Sequence, residues 1–145
     1  MRFRFEPILN LRKHHEDSCR TQLYKEETKL IRIQEEINAW NRNKEHQQKK
    51  VKAMSIGIIK PDILACSSEC LEYIRQKQIE TKNRKIVQEE QRNIARDLLI
   101  DARKEKKAME KLKEQFIARE EKRMMDLEQK KIDEVAVNQF HRDKG

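Results

Sequence analysis

Cys66 and Cys70, four residues apart, and His14, His15 and His46 are the side chains whose chemistry could reach beyond packing. On a helix, residues i and i+4 share a face, so the two thiolates could hold a zinc ion with a histidine beside them. Zinc in a structural site takes four protein ligands, and no second matched pair accompanies these two. A Cys–His nucleophile would need a cleft that excludes water. No G-x-x-x-x-G-K-[ST] phosphate loop occurs, and the two glycines of the chain could not build one. There is no G-x-S-x-G turn either. The sequence therefore predicts no catalytic residue, no cofactor-binding residue and no metal ligand, and a protein that is not an enzyme. The cysteines are expected to act as small buried hydrophobes near a chain reversal.

The elements that would position any site are helices. Of 145 residues, 41% are charged and 36% hydrophobic, with only two glycines and two prolines. That composition cannot fill a thick core, yet it is rich in strong helix formers. Counting in sevens from Leu9 gives Leu9, Glu16, Leu23, Leu30, Ile37, Lys44 and Val51. Counting in sevens from Phe5 gives Phe5, Arg12, Cys19, Glu26, Ile33, Trp40, Gln47 and Met54. The two rows interleave at spacings of four and three, the a/d seam of a coiled coil with polar interruptions. Glu16/Arg20 and Glu45/Lys49 add i,i+4 pairs.

The strongest break is Ser55–Asp62, where Gly57 and Pro61 oppose helix continuation and Lys60 precedes proline. A loop this short makes its flanking helices antiparallel neighbours. The predicted fold is all-α, one domain over 1–145. It is an antiparallel coiled-coil hairpin with a helix over about 5–54, a loop over about 55–62 and a helix over about 63–140. Ile56, Ile58 and Ile59 are expected to cap the end of the hairpin, with a small docking tip as the alternative.

In the second helix Ile74, Ile79, Ile86, Val87, Ile94 and Leu98 continue the apolar positions. A regular register runs Ala95, Leu98, Ala102, Glu105, Met109, Leu112, Phe116, with stutters elsewhere. Folding about residue 59 places Leu30 near Gln88, Phe5 near Lys113 and Trp40 near Gln78, with Tyr73 pointing outward. Everything after about Phe116 then overhangs the amino terminus, still carrying Met124, Leu127, Ile132, Val135 and Phe140. An exposed stripe of that kind marks a binding surface.

The net charge of +8 is spread among interleaved acids, which fits a solvated helix surface better than a nucleic-acid face. No run approaches the ~20 apolar residues of a membrane span, and the amino terminus lacks the apolar run of a secretory signal. With an odd number of cysteines, three, these features predict a cytoplasmic protein with no direct membrane insertion.

The two ends carry the more specific signals. Phe3-Arg4-Phe5-Glu6-Pro7-Ile8-Leu9-Asn10-Leu11-Arg12 resembles the opening F-x-F-x-[LP]-[LI]-L-x-[LV]-R of the FliJ family, the coiled-coil proteins of bacterial flagellar export. Leu127-Glu128-Gln129-Lys130-Lys131-Ile132-Asp133-Glu134-Val135-Ala136 is similar to that family's E-Q-K-x-[LMI]-D-E-x-A signature. The resemblance implies a monomeric stalk-like component of the type III export apparatus. Its terminal segments would enter the hexameric flagellar export ATPase. Its other end would meet the cytoplasmic domain of the membrane export gate, and export chaperones would be further partners. Phe3, Phe5, Leu9, Gln129, Lys130, Asp133 and Glu134 then become ring contacts, and Trp40, Leu71, Tyr73 and Ile74 gate contacts. The implied location is the cytoplasmic side of the inner membrane, at the flagellar base. The alternatives are an injectisome counterpart, a basic coiled coil on nucleic acid, and a purely structural homodimer.

Overall fold

The structure, a computed structural model, describes residues 2–58 and 60–144. Two long helices pack against each other as a hairpin, α1 over Glu6–Met54 and α2 over Pro61–Lys144. No strand occurs among the described residues. The start of α1 is organised by the Glu6 and Leu9 amides, which donate to the Phe3 and Phe5 carbonyls at 3.2 and 3.0 Å. Its end is tied by Ser55, whose amide and hydroxyl both reach the Val51 carbonyl. Gly57 follows with φ of +112°, a region that side chains rarely enter. Pro61 opens α2 two residues ahead of the expected start, because its missing N–H and fixed φ suit a first helical turn. α2 continues to Lys144, beyond the expected end near 140, with His141, Arg142 and Lys144 in its last turn, where cations suit the carbonyl end.

The chain divides into two compact units. In Ser18–Ile100, the α1 side of the seam holds Leu23, Glu26, Leu30, Ile33, Ile37 and Trp40. The α2 side holds Leu71, Ile74, Gln78, Thr81, Lys85, Gln88, Arg92, Ala95 and Leu99. Gln88 donates to Glu26, Arg84 pairs with Glu36 at 2.7 Å, and Gln78 donates to Asn41 at 2.9 Å. Asn41, the partner of Gln78, is the neighbour of Trp40 in the chain.

The other unit combines Met1–Asp17 with Asp101–Gly145. Its seam is built on Leu9, the most deeply buried large side chain at 1% exposure, with Ala102. Glu16 is buried as well and is held by Lys106 at 2.5 Å and Arg103 at 3.5 Å. Arg12–Glu105 and Glu6–Lys113 are further cross-helix ion pairs of this unit, at 2.7 and 3.1 Å.

Along α2 the expected register needs correction. Buried or half-buried residues alternate at four and three from Ser67 to Glu120 without a stutter. Ala95, Ala102, Met109 and Phe116 hold their places, but Leu99, Lys106 and Lys113 replace Leu98, Glu105 and Leu112. Ile79, Ile86, Val87, Ile94 and Leu98 are all more than half exposed. Their place on the seam is taken by Thr81, Lys85, Gln88 and Arg92. Several of these polar groups find partners there: the Thr81 hydroxyl donates to the Lys77 carbonyl, and Gln88 donates to Glu26.

Candidate functional site

Three places present surface that the fold does not consume. The first is the end of α2: every described residue from 121 to 144 is exposed. Met124, Met125, Leu127, Ile132, Val135, Val137 and Phe140 lie in this stretch. The helix persists because of its strong helix formers and its i,i+3 and i,i+4 pairs. Arg123 pairs with Glu120 at 3.1 Å, and Gln129 donates to Asp133 at 3.0 Å. Lys130 and Glu134 are exposed beside them.

The amino-terminal motif lies further back on the same unit. The Phe3 ring packs on Phe5 at 5.8 Å and on Phe116 at 5.5 Å between centroids. Phe5 keeps 42% of its surface in solvent, whereas Leu9 is wholly enclosed. Leu9 therefore holds the motif against α2 and offers no contact surface. The structure does not bring Phe3 and Gln129 together. From Phe116 to Gln129 the helix rises about 20 Å at ~1.5 Å per residue.

The second place, in Ser18–Ile100, is an aromatic pair that straddles the two helices. Trp40 and Tyr73 meet edge to face at 6.1 Å, and the Lys77 ammonium stands 5.6 Å from the Tyr73 ring. Such a pair is worth about 0.5–1.5 kcal/mol beyond its area. Tyr73 remains 55% exposed, while Ile74 is buried and Leu71 half-buried beneath it. Of the four residues singled out here, Tyr73 is the most exposed, Trp40 and Leu71 are half-buried, and Ile74 is buried.

The third place is the turn, where Ile56 and Ile58 do not provide the capping expected of them. Ile56 is 85% exposed and Ile58 95%. Ile59 lies outside the described residues. Cys66 is exposed rather than buried, and Cys70 is half-buried with its sulfur accepting from Gln47 at 3.2 Å. Among the described residues no three His, Cys, Asp or Glu side chains converge on a point. Hydrophobicity alone places Ile79, Ile86, Val87, Ile94 and Leu98 on the seam, whereas all five are exposed. The one signal that could have found this exposure is the unbroken heptad, which runs through polar residues.

The titration of Glu26 also reflects its place on the seam. The hydrogen bond from Gln88 holds its carboxyl below the ordinary value of 4.5, assisted by Lys29 and Gln22 and opposed by burial.

Against known proteins, a family profile described as Flagellar FliJ protein matches residues 1–145. No curated protein matches the chain in sequence. A solved structure described as a YscO homologue from Chlamydia trachomatis is similar at 19% identity, with a TM-score of 0.58. The match covers 100% of this chain and 99% of that one. At that identity the likeness speaks for the fold. No helix among the described residues is long and apolar enough to cross a membrane.

Proposed function

The chain belongs to the flagellar FliJ family and is a coiled-coil protein of type III export, and on that premise we propose that it serves as the stalk of the export ATPase. The observation that carries the reading is the bare stretch from 121 to 144, a helix whose apolar residues are all exposed. Residues 1–145 match a flagellar family from end to end, which favours the flagellar apparatus over an injectisome counterpart.

The mechanism is asymmetric contact. A helix is about 10 Å across with its side chains, slender enough for the lumen of a ring. Phe5 and the exposed Gln129, Lys130, Asp133 and Glu134 meet different subunits of the hexameric ATPase unequally. That inequality favours assembly of the hexamer and orders hydrolysis around it. The protein supplies no reacting group; it shifts the populations of its partner's states. Tyr73, with the edge of Trp40, meets the cytoplasmic domain of the export gate, where a half-exposed aromatic is an effective anchor. Export chaperones are further partners of the same exposed surfaces.

The test is the ATP hydrolysis rate of the export ATPase titrated with this protein. The full chain gives a saturable rise accompanied by hexamer formation, and a chain ending at Glu120 gives none while staying helical. A rate unmoved by the full chain, or equally raised by the shortened one, overturns the stalk reading. Tyr73→Ser in turn weakens capture of the gate domain by about tenfold, in the range of a lost aromatic anchor.

A further inference from the structure

Between Glu45 and Asp62 the chain has no acidic residue and four lysines, Lys49, Lys50, Lys52 and Lys60. All four are exposed, three on the last turns of α1 and one on the approach to α2. They flank in sequence Ile56 and Ile58, the most exposed large apolar side chains among the described residues. Met54, Ile63 and Leu64 stand behind these two, about an open notch of 280 Å³. Gly57 bends the backbone between the isoleucines, and nothing lies within 4 Å of where its Cβ would be. The apolar side chains thus stand beyond the helix ends with no chain folded over them.

From this arrangement we infer that the turn is a shallow anchor for an anionic lipid surface. Two isoleucines seat in the boundary between head groups and acyl chains while the four lysines engage the negatively charged head groups around them. The pairing of signals is what the physics of interfaces requires. A small apolar insertion alone binds weakly and reversibly, and stable association takes a second, electrostatic contribution. Lysines close to an anionic leaflet supply it, within the reach set by screening. Across 46–61 the lysines stand without any acid, and Asp62, in the first turn of α2, is the first carboxylate beyond them, so the net attraction of the turn is for an anionic surface. The seating is interfacial and not a span, and it goes beyond the sequence-based expectation of no direct insertion. It does not depend on the ATPase reading, since it uses neither terminal segment.

The experiment is flotation of the full chain with vesicles of phosphatidylcholine alone and of phosphatidylcholine mixed with phosphatidylglycerol. Two variants accompany it, I56S/I58S and K49Q/K50Q/K52Q/K60Q, each checked for unchanged helicity. All the altered side chains are exposed, so both variants fold. The wild type floats with the phosphatidylglycerol vesicles and not with the neutral ones. Its partitioning falls about tenfold or more in either variant and again on raising the salt. No flotation of the wild type, equal flotation on neutral vesicles, or an unchanged partition in either variant overturns the inference. If the wild type ignores both vesicles while I56S/I58S loses binding to the gate domain, the tip is a protein-docking surface instead.

Discussion

Gln88 on α2 donates its side-chain amide to both the carboxylate and the backbone carbonyl of Glu26 on α1, the latter at 3.1 Å. A coiled-coil seam normally buries aliphatic side chains at such positions. Here a buried carboxylate is satisfied across the helices by a neutral amide, and from its own helix by Gln22 at 2.8 Å and Lys29 at 3.5 Å. The pair favours the register locally, because a slip of one residue would take from the buried Glu26 carboxylate its cross-helix donor and leave it only the bonds from its own helix.

The first prediction concerns pH. Glu26 has its pKa lowered in the folded state, mainly by the Gln88 hydrogen bond. A depressed carboxyl stabilises the fold above its unfolded pKa, and that contribution is lost as pH falls through the lower folded value. The window therefore lies below the ordinary value of 4.5. Urea unfolding followed by circular dichroism should show stability falling through this range, with a shallower fall in Gln88→Met. A parallel fall in the two proteins would contradict the assignment.

Replacing one partner and replacing both should act in opposite directions. Gln88→Ala removes a donor from a buried carboxylate and costs about 1–2 kcal/mol. The double change Glu26→Leu with Gln88→Leu restores an aliphatic seam and is neutral or stabilising, by about 1–3 kcal/mol. Thermal melts of the two variants and the parent decide the matter. A double variant less stable than the single one would show that the polar pair is worth more than its apolar replacement.

The register on α2 is open to a direct comparison of neighbours. Leu98 is exposed and Leu99 buried. Leu99→Ala should cost about 2–4 kcal/mol through lost burial and the cavity left behind. Leu98→Ala should stay within about 0.5 kcal/mol, as a surface change does. The reverse order of the two unfolding midpoints would restore the register read from hydrophobicity.

What the sequence by itself determined is everything that depends on local conformation. The lack of breakers beyond the first turns, which hold Pro7 and Pro61, forces two helices over 6–54 and 61–144, and Gly57 with Pro61 forces the reversal between them. The apolar rows of α1 and the overhang follow from counting alone, as do the terminal motifs that resemble a flagellar export family. Only the tertiary structure decided which face of α2 is buried. Periodicity reveals a face when hydrophobic residues occupy it, but between Thr81 and Arg92 the seam is polar and the isoleucines point to water. A hydrogen bond such as Gln88 to Glu26 joins residues far apart in sequence, so no local pattern announces that a polar side chain can be buried there. The same limit applies to Trp40 and Tyr73, which become one aromatic surface only when the two helices are set side by side. It applies equally to Ile56 and Ile58, whose hydrophobicity suggests a cap but which stand 85% and 95% exposed in the turn.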